Sequence, residues 1–256
     1  MDNSVNSLVN INFTLRELII LFVSFFLSVS VSASHLYGGS MSYRCNGNFR
    51  YTVELTLNKE CASVVPFDQT AAIGVYDSSG TTLIHRFYMT QPRIDTLSST
   101  TFDPCLGFPS AVCLEEATYS QSIRLSPRKG GYTFVYQRCC RPAGITNIQQ
   151  SVQQGNTFYC RVPNPGDFCN NSPKANFQRP LALCLGKAFN IDRSYNDSDN
   201  DSLIYNLVTP LVGGGTNQNQ INAINGPLPD PPAPPPFSVV QWRSGFNITF
   251  NRNEVV

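Results

Sequence analysis

Histidine is nearly absent from this chain, with two in 256 residues, His35 and His85. That scarcity removes the commonest general base and the commonest metal-binding side chain. No G-x-S-x-G elbow, H-E-x-x-H pair or glycine-lysine phosphate loop occurs. A Cys–His dyad would need a thiol beside His85, and nothing in the sequence places one there, so His85 reads as a strand surface or packing residue. The chain is therefore expected not to be an enzyme. Charge is scarce as well: 14% of residues are charged and the net charge is +1. This leaves no basic footprint for nucleic acid or anionic lipid. Beyond Val31 no stretch carries the 3.6-residue apolar period of a helix.

What is present begins with a leader. Leu18–Val31 is an apolar run of 14 residues followed by Ser32-Ala33-Ser34. It is too short to span a bilayer, which needs about 20 apolar residues. Although Asp2 and Glu17 offset Arg16, the pattern matches a secretory signal over residues 1–33, cleaved after Ala33. No membrane span is expected once it is removed. Nine cysteines in a chain of low charge then point to an oxidising compartment, secreted or at a cell surface.

Strand signals fill the next region. In FRYTVELTL, residues 49–57, apolar and polar residues alternate, so one face is buried and the other wet. Ser40–Cys45 precedes it, and Asn46-Gly47 between them predicts a tight hairpin turn. Further strands are predicted over Ala71–Tyr76, Thr82–Met89, Tyr119–Leu125, Tyr132–Arg138 and Thr157–Val162. Seven short strands with turn chemistry between them read as a β-sandwich over residues 34–172. A second β unit over 173–256 is predicted from strands at Phe189–Asp192, Leu203–Val208, Phe237–Trp242 and Ile248–Phe250. It contains the extended Pro-rich loop Pro227–Pro236.

The cysteine spacings fit no zinc knuckle, so disulfides are the expected use. Cys105 and Cys113 bracket a Pro/Gly loop and are natural partners; closing so short a loop stabilises by about 2.5 kcal/mol. A Cys45–Cys61 bridge would have to cross an extended strand of about 40 Å. In a sandwich order the end of Tyr132–Arg138 returns to the edge that carries the Cys61 loop, so Cys61 is expected to meet Cys139 or Cys140, and Cys45 to meet Cys169 or Cys184. The doublet in YQRCCRP looks like two separate staples, because neighbours in a strand point to opposite faces. In TFYCRV, Cys160 alternates with Phe158 and Val162, which predicts a buried free thiol.

One cluster suggests chemistry. NDSDNDSL, residues 196–203, sets Asp197, Asp199 and Asp201 close together, with Asp192 upstream. Such carboxylates repel unless a cation or backbone donors absorb their charge, and calcium takes hard oxygen ligands. The pattern is not an EF-hand, since Ser202 and Val208 stand where glycine and the bidentate glutamate belong. The alternative is a solvated turn whose Asp and Asn side chains cap their own backbone. No other cofactor is expected.

Three segments resemble a known family: SHLYGGSMSYRCNGNFRYTVELTL, DPCLGFPSAVCLEEATYSQSIRL and GGYTFVYQRCCRP. They are similar to the N-terminal module of large secreted surface proteins of Bacteroidota. Those proteins carry PKD-like or cadherin-like repeats and a gliding-motility-associated, type IX-sorted C-terminus. NDSDNDSLIYNL resembles the D-x-D-G-D-S-L-x-Y opening of an Ig- or cadherin-like unit, with Asn200 in the glycine position, where Asn tolerates the left-handed conformation. The resemblance covers residues 34–245, and Cys160 is additional to the family's cysteines. The chain ends where such proteins continue, as a C-terminally truncated member would.

The fold expected is all-β: a disulfide-supported Ig-like β-sandwich followed by an incomplete Ig/cadherin-like β unit. The expected function is a non-catalytic extracellular structural or adhesion module of a bacterial cell surface. Its partners would be an extracellular ligand or neighbouring β modules, not nucleic acid. The alternative is a calcium-dependent or carbohydrate-binding module, with Tyr37, Tyr43, Tyr88 and Trp242 as a sugar platform.

Overall fold

The computed structural model describes residues 36–63, 65–79, 82–90, 92–98, 113–175, 194–206 and 208–213. The expected leader, His35, Cys105, Cys184, Asp192, Trp242, the Pro-rich segment and the strands expected at 189–192, 237–242 and 248–250 lie outside those residues. Of the strand expected at Leu203–Val208, residue 207 is not described and the described residues form no strand.

Eight strands form two antiparallel four-stranded sheets. They are β1 (Leu36–Cys45), β2 (Arg50–Glu60), β3 (Thr70–Asp77), β4 (Leu83–Thr90), β5 (Arg93–Ser98), β6 (Cys113–Arg124), β7 (Tyr132–Arg138) and β8 (Asn156–Val162). One sheet runs β1-β2-β6-β5 and the other β4-β3-β7-β8. This is the Greek-key strand order of an immunoglobulin-type sandwich with an extra strand beside the third. A 3-10 turn, Ser151–Gln153, precedes β8. A two-residue ladder joins β9 (Lys174–Ala175) to β10 (Tyr195–Asn196).

Period-two patterning builds the core. Tyr51, Val53, Leu55 and Leu57 turn inward from β2 and are essentially buried. They meet Tyr119 of β6 and, from the other sheet, Ile73, Val75, Phe134 and Tyr136. Each fully buried aliphatic or aromatic side chain contributes about 1.5–3 kcal/mol. At the start of β7 the Tyr132 hydroxyl donates to Ser126 O at 2.8 Å, the tyrosine-corner bond of this strand order.

Several expectations need correction. The hairpin loop is residues 46–49, one residue longer than expected. Asn46 N–H donates to Arg50 O at 2.8 Å and Arg50 N–H to Gly47 O at 2.9 Å. Phe49 belongs to this loop rather than to β2, because Gly47, Asn48 and Phe49 all take positive φ. Strand β5 has no counterpart in the sequence reading. It is an edge strand whose Ile94 is exposed, so it lacks clean alternation. β6 begins at Cys113, earlier than expected, because Glu115 and Glu116 find polar partners in Lys59 and Asn58 across the ladder to β2.

The disulfides also differ from the expected set. Cys45 joins Cys169, one of the two partners left open for it. Cys61 joins Cys113 rather than Cys139 or Cys140, and Cys113 is therefore not paired with Cys105. The reason is the β2–β6 register, which sets Glu60 opposite Leu114 and lets Cys61 N–H donate to Cys113 O at 3.1 Å. Cys139 and Cys140 join each other across a cis peptide bond. The alternation argument fails there because β7 ends at Arg138, so the doublet is not in a strand. The closeness expected between the end of β7 and the Cys61 loop does occur. It is made by Arg138, whose Nη2 donates to Pro66 O at 2.8 Å.

Candidate functional site

The acidic turn is held by its own backbone and by the sandwich. Asp197 Oδ1 accepts the N–H groups of Asp199 at 2.8 Å and Asp201 at 3.2 Å. Asn200 takes φ 62°, the left-handed conformation expected of it. Asp199 reaches further: its Oδ2 accepts Asn171 N–H at 2.6 Å and its Oδ1 accepts Asn171 Nδ2 at 2.8 Å. The turn thus caps itself, and its carboxylate oxygens still gather within 4.8 Å of one another. Asp197 is partly buried, while Asp199 and Asp201 are exposed. Beside the turn, Tyr195 N–H donates to the Tyr205 hydroxyl at 3.0 Å, and the two rings tilt against each other.

Residues 170–172 carry this turn along the free edge of β1. Tyr43 N–H donates to Ser172 Oγ at 2.8 Å, and Ser172 N–H donates to Tyr43 O at 3.0 Å. Cys45 N–H donates to Asn171 Oδ1 at 2.9 Å. Tyr43 is buried in the core, so it is not the sugar platform expected of it. Burial pushes its phenol up to about 12, against the Asn170 hydrogen bond, which favours the charged form. Tyr37 is exposed, Tyr88 is half-buried, and His85 is exposed on edge strand β4.

A buried charge cluster was not foreseen. Arg138 Nη2 lies 3.3 Å from Asp68 Oδ1, with both side chains almost inaccessible. Tyr136 donates its hydroxyl to Asp68 Oδ2 at 2.6 Å, and Tyr119 donates to Asp68 O at 2.6 Å. Burial raises the Asp68 carboxyl despite the opposing pull of Arg138 and Tyr136. Burial alone would lower Arg138, but Asp68 and the tyrosines outweigh it and hold the guanidinium charged. The cluster ties Tyr119 of one sheet to Tyr136 and Arg138 of the other. Removing one member of such a pair leaves a buried charge and costs about 3–5 kcal/mol. With no solvent access it is a packing clamp. The one sequence signal was an arginine ending a strand rich in aromatic residues.

Cys160 carries no disulfide and packs against the core with Phe158. Burial pushes its thiol well above the ordinary range, which makes it a poor nucleophile. The buried doublet Cys139–Cys140 lies between two docking points. Cys140 O accepts Leu36 N–H at 3.4 Å, and Arg141 Nη2 donates to Leu211 O at 2.8 Å. Among the described residues no helix is long and apolar enough to cross a membrane.

No known protein family, curated protein or solved structure matches this chain. The geometry is what bears on function.

Proposed function

We propose that this chain is a non-catalytic structural or adhesion module that stands outside a bacterial cell. The observation that carries the reading is covalent: Cys45–Cys169 and Cys61–Cys113 fasten the sandwich. Such bonds persist in oxidising compartments and are rare where thiols are kept reduced. The resemblance to Bacteroidota surface proteins supports the same setting, with further β modules or an extracellular ligand as partners. Surface biotinylation of cells making the tagged full-length chain tests it, together with thiol labelling in the absence of reductant. Labelled protein at the surface, with Cys45, Cys61, Cys113 and Cys169 blocked, is expected. Protein confined to the cytoplasm with those thiols free overturns the reading. Retention of cells by the immobilised chain, against a denatured control, tests adhesion itself.

A second reading, a calcium-dependent module, is favoured by the carboxylates of Asp197, Asp199 and Asp201, which gather within 4.8 Å. Calcium would take their oxygens and share Asp199 with Asn171. A melting temperature that rises in millimolar calcium over chelator supports it, and an unchanged melt removes it.

A further inference from the structure

The β2–β6 ladder carries complementary charge at one end and like charge at the other. Near Glu60, Lys59 Nζ lies 2.9 Å from Glu115 Oε2, and Asn58 Nδ2 donates to Glu116 Oε2 at 2.8 Å. At the far end the register sets Arg50 directly opposite Arg124. Both are exposed, and among the described residues neither has a carboxylate at ion-pair distance. Arg44 joins them: it pairs with Thr52 on the adjoining ladder, on the same outward face, and its Nε donates to Asn46 Oδ1 at 3.2 Å. Like charges placed directly opposite destabilise a sheet. Folding alone gives no reason for this arrangement.

A second, independent feature stands beside it. Phe49, next to Arg50, takes φ 60°, and the residue is 38% exposed. The left-handed region is routine for Gly47 and tolerable for Asn48, but for a bulky aromatic it costs about 1–2 kcal/mol. The conformation is held because Phe49 O accepts Leu125 N–H at 2.9 Å. Strain of this kind clusters at binding sites.

We infer that this end of the β1-β2-β6 face binds an anionic polysaccharide, one whose sugars bear carboxylate or sulfate groups. The inference rests on the adhesion-module reading and names its ligand class. Guanidinium forks match planar or tetrahedral oxyanions, and the Arg50–Arg124 pair concentrates two of them at one cross-strand spacing. Thr52 and Ser122, directly opposite each other on the same face, offer hydroxyls to sugar hydroxyls. Phe49 supplies an apolar ring against which a sugar face stacks. Three guanidiniums on a flat face, in a chain of net charge +1, are too few to track a nucleic-acid backbone.

Affinity electrophoresis of the oxidised full-length chain through gels holding polygalacturonate, dextran sulfate or neutral dextran tests it. Retardation by one or both anionic polymers, weakening with salt, and none by neutral dextran is expected; which polymer acts separates carboxylate from sulfate recognition. Arg124→Glu turns the like pair into a complementary one. That variant should melt at or above the wild-type temperature and yet bind roughly tenfold or more weakly. Phe49→Gly should also weaken binding while relieving the loop. Arg161→Ser, on β8 in the other sheet, should leave retardation unchanged. The inference is overturned if the wild type ignores both anionic polymers at low salt, or if Arg124→Glu binds as the wild type does. Equal retention by DNA or by phosphatidylglycerol vesicles overturns it as well. Should the chain prove cytoplasmic while purified protein keeps this selectivity, the module reading falls and the patch stands.

Discussion

The two flanks of the sandwich are finished differently. On one flank, the free edge of β1 is covered by residues 170–172 and locked by Cys45–Cys169. Beside it, residues 211–213 dock at the start of β8, where the Thr157 hydroxyl donates to Val212 O at 2.8 Å. Gly155 and Gly213 meet there so closely that a Cβ on either would collide. On the other flank, β4 and β5 each pair with one neighbour among the described residues. An uncovered edge is a template for unwanted pairing, and charge or proline guards it. Pro92, Arg93 and Asp95 stand at β5, and His85 and Arg86 at β4. One flank is sealed by the chain's own extension; the other is only made uninviting.

The sealed flank should therefore dominate stability. Replacing Cys45 and Cys169 together with serine opens a closure of sequence separation 124. Chain entropy alone makes that worth about 5 kcal/mol, read as a shift in the urea midpoint at constant slope. The matching change at Cys61–Cys113, with separation 52, should cost about 4 kcal/mol. If the first change costs less than the second, the seal is not what holds that flank.

A smaller effect is expected at the polar part of the seal. Asp199→Ala removes both acceptors of Asn171 and should cost about 1–2 kcal/mol. Hydrogen exchange gives the sharper reading, because the amides of Tyr43 and Cys45 should then exchange faster while those of β4 do not change. Acceleration on both flanks would mean the effect is global.

The alkaline limb tests the same flank without breaking a bond. Tyr43 has a folded pKa raised from 10.0 to about 12. Between those values the folded chain keeps a proton that the unfolded chain has lost. Stability is then full below pH 10 and falls as pH rises toward 12. Tyr119 and Tyr136 are raised in the same direction by burial and add to the slope. Tyr43→Phe should flatten the fall in stability measured by denaturant titration from pH 9 upward. An unchanged slope would place the titration elsewhere.

Much of the sandwich was legible: β2 and β8 alternate because each buries one face, while β3 and β7, buried along their length, stood out as runs between turn residues. β5 was not, since an exposed edge strand has no such face to reveal. Disulfide partners were misread where the argument used loop proximity along the chain. Register decides those pairs, and it fixed Cys61 beside Cys113 through Glu60 and Leu114. The same holds for charge. Composition gave a nearly neutral chain, and Arg124 lies far in sequence from Arg44 and Arg50; only the ladder sets it beside them. The self-capped acidic turn was legible as one of two alternatives, whereas its anchor at Asn171 was not, because a contact between residues 28 apart leaves no local signal.

The smallest effect is expected on the open flank. Leu83 and Ile84 of β4 are exposed, and surface substitutions away from special features change stability by about 0.5 kcal/mol or less. Ile84→Lys should therefore leave the melting temperature nearly unchanged. It adds a charge to an edge already guarded by His85 and Arg86, so its effect should appear instead in colloidal behaviour, as less association in light scattering at high concentration. A loss of stability comparable to that of Asp199→Ala would mean that Ile84 packs as firmly as the sealed flank does. The contrast between the two flanks would then be one of chemistry rather than of strength.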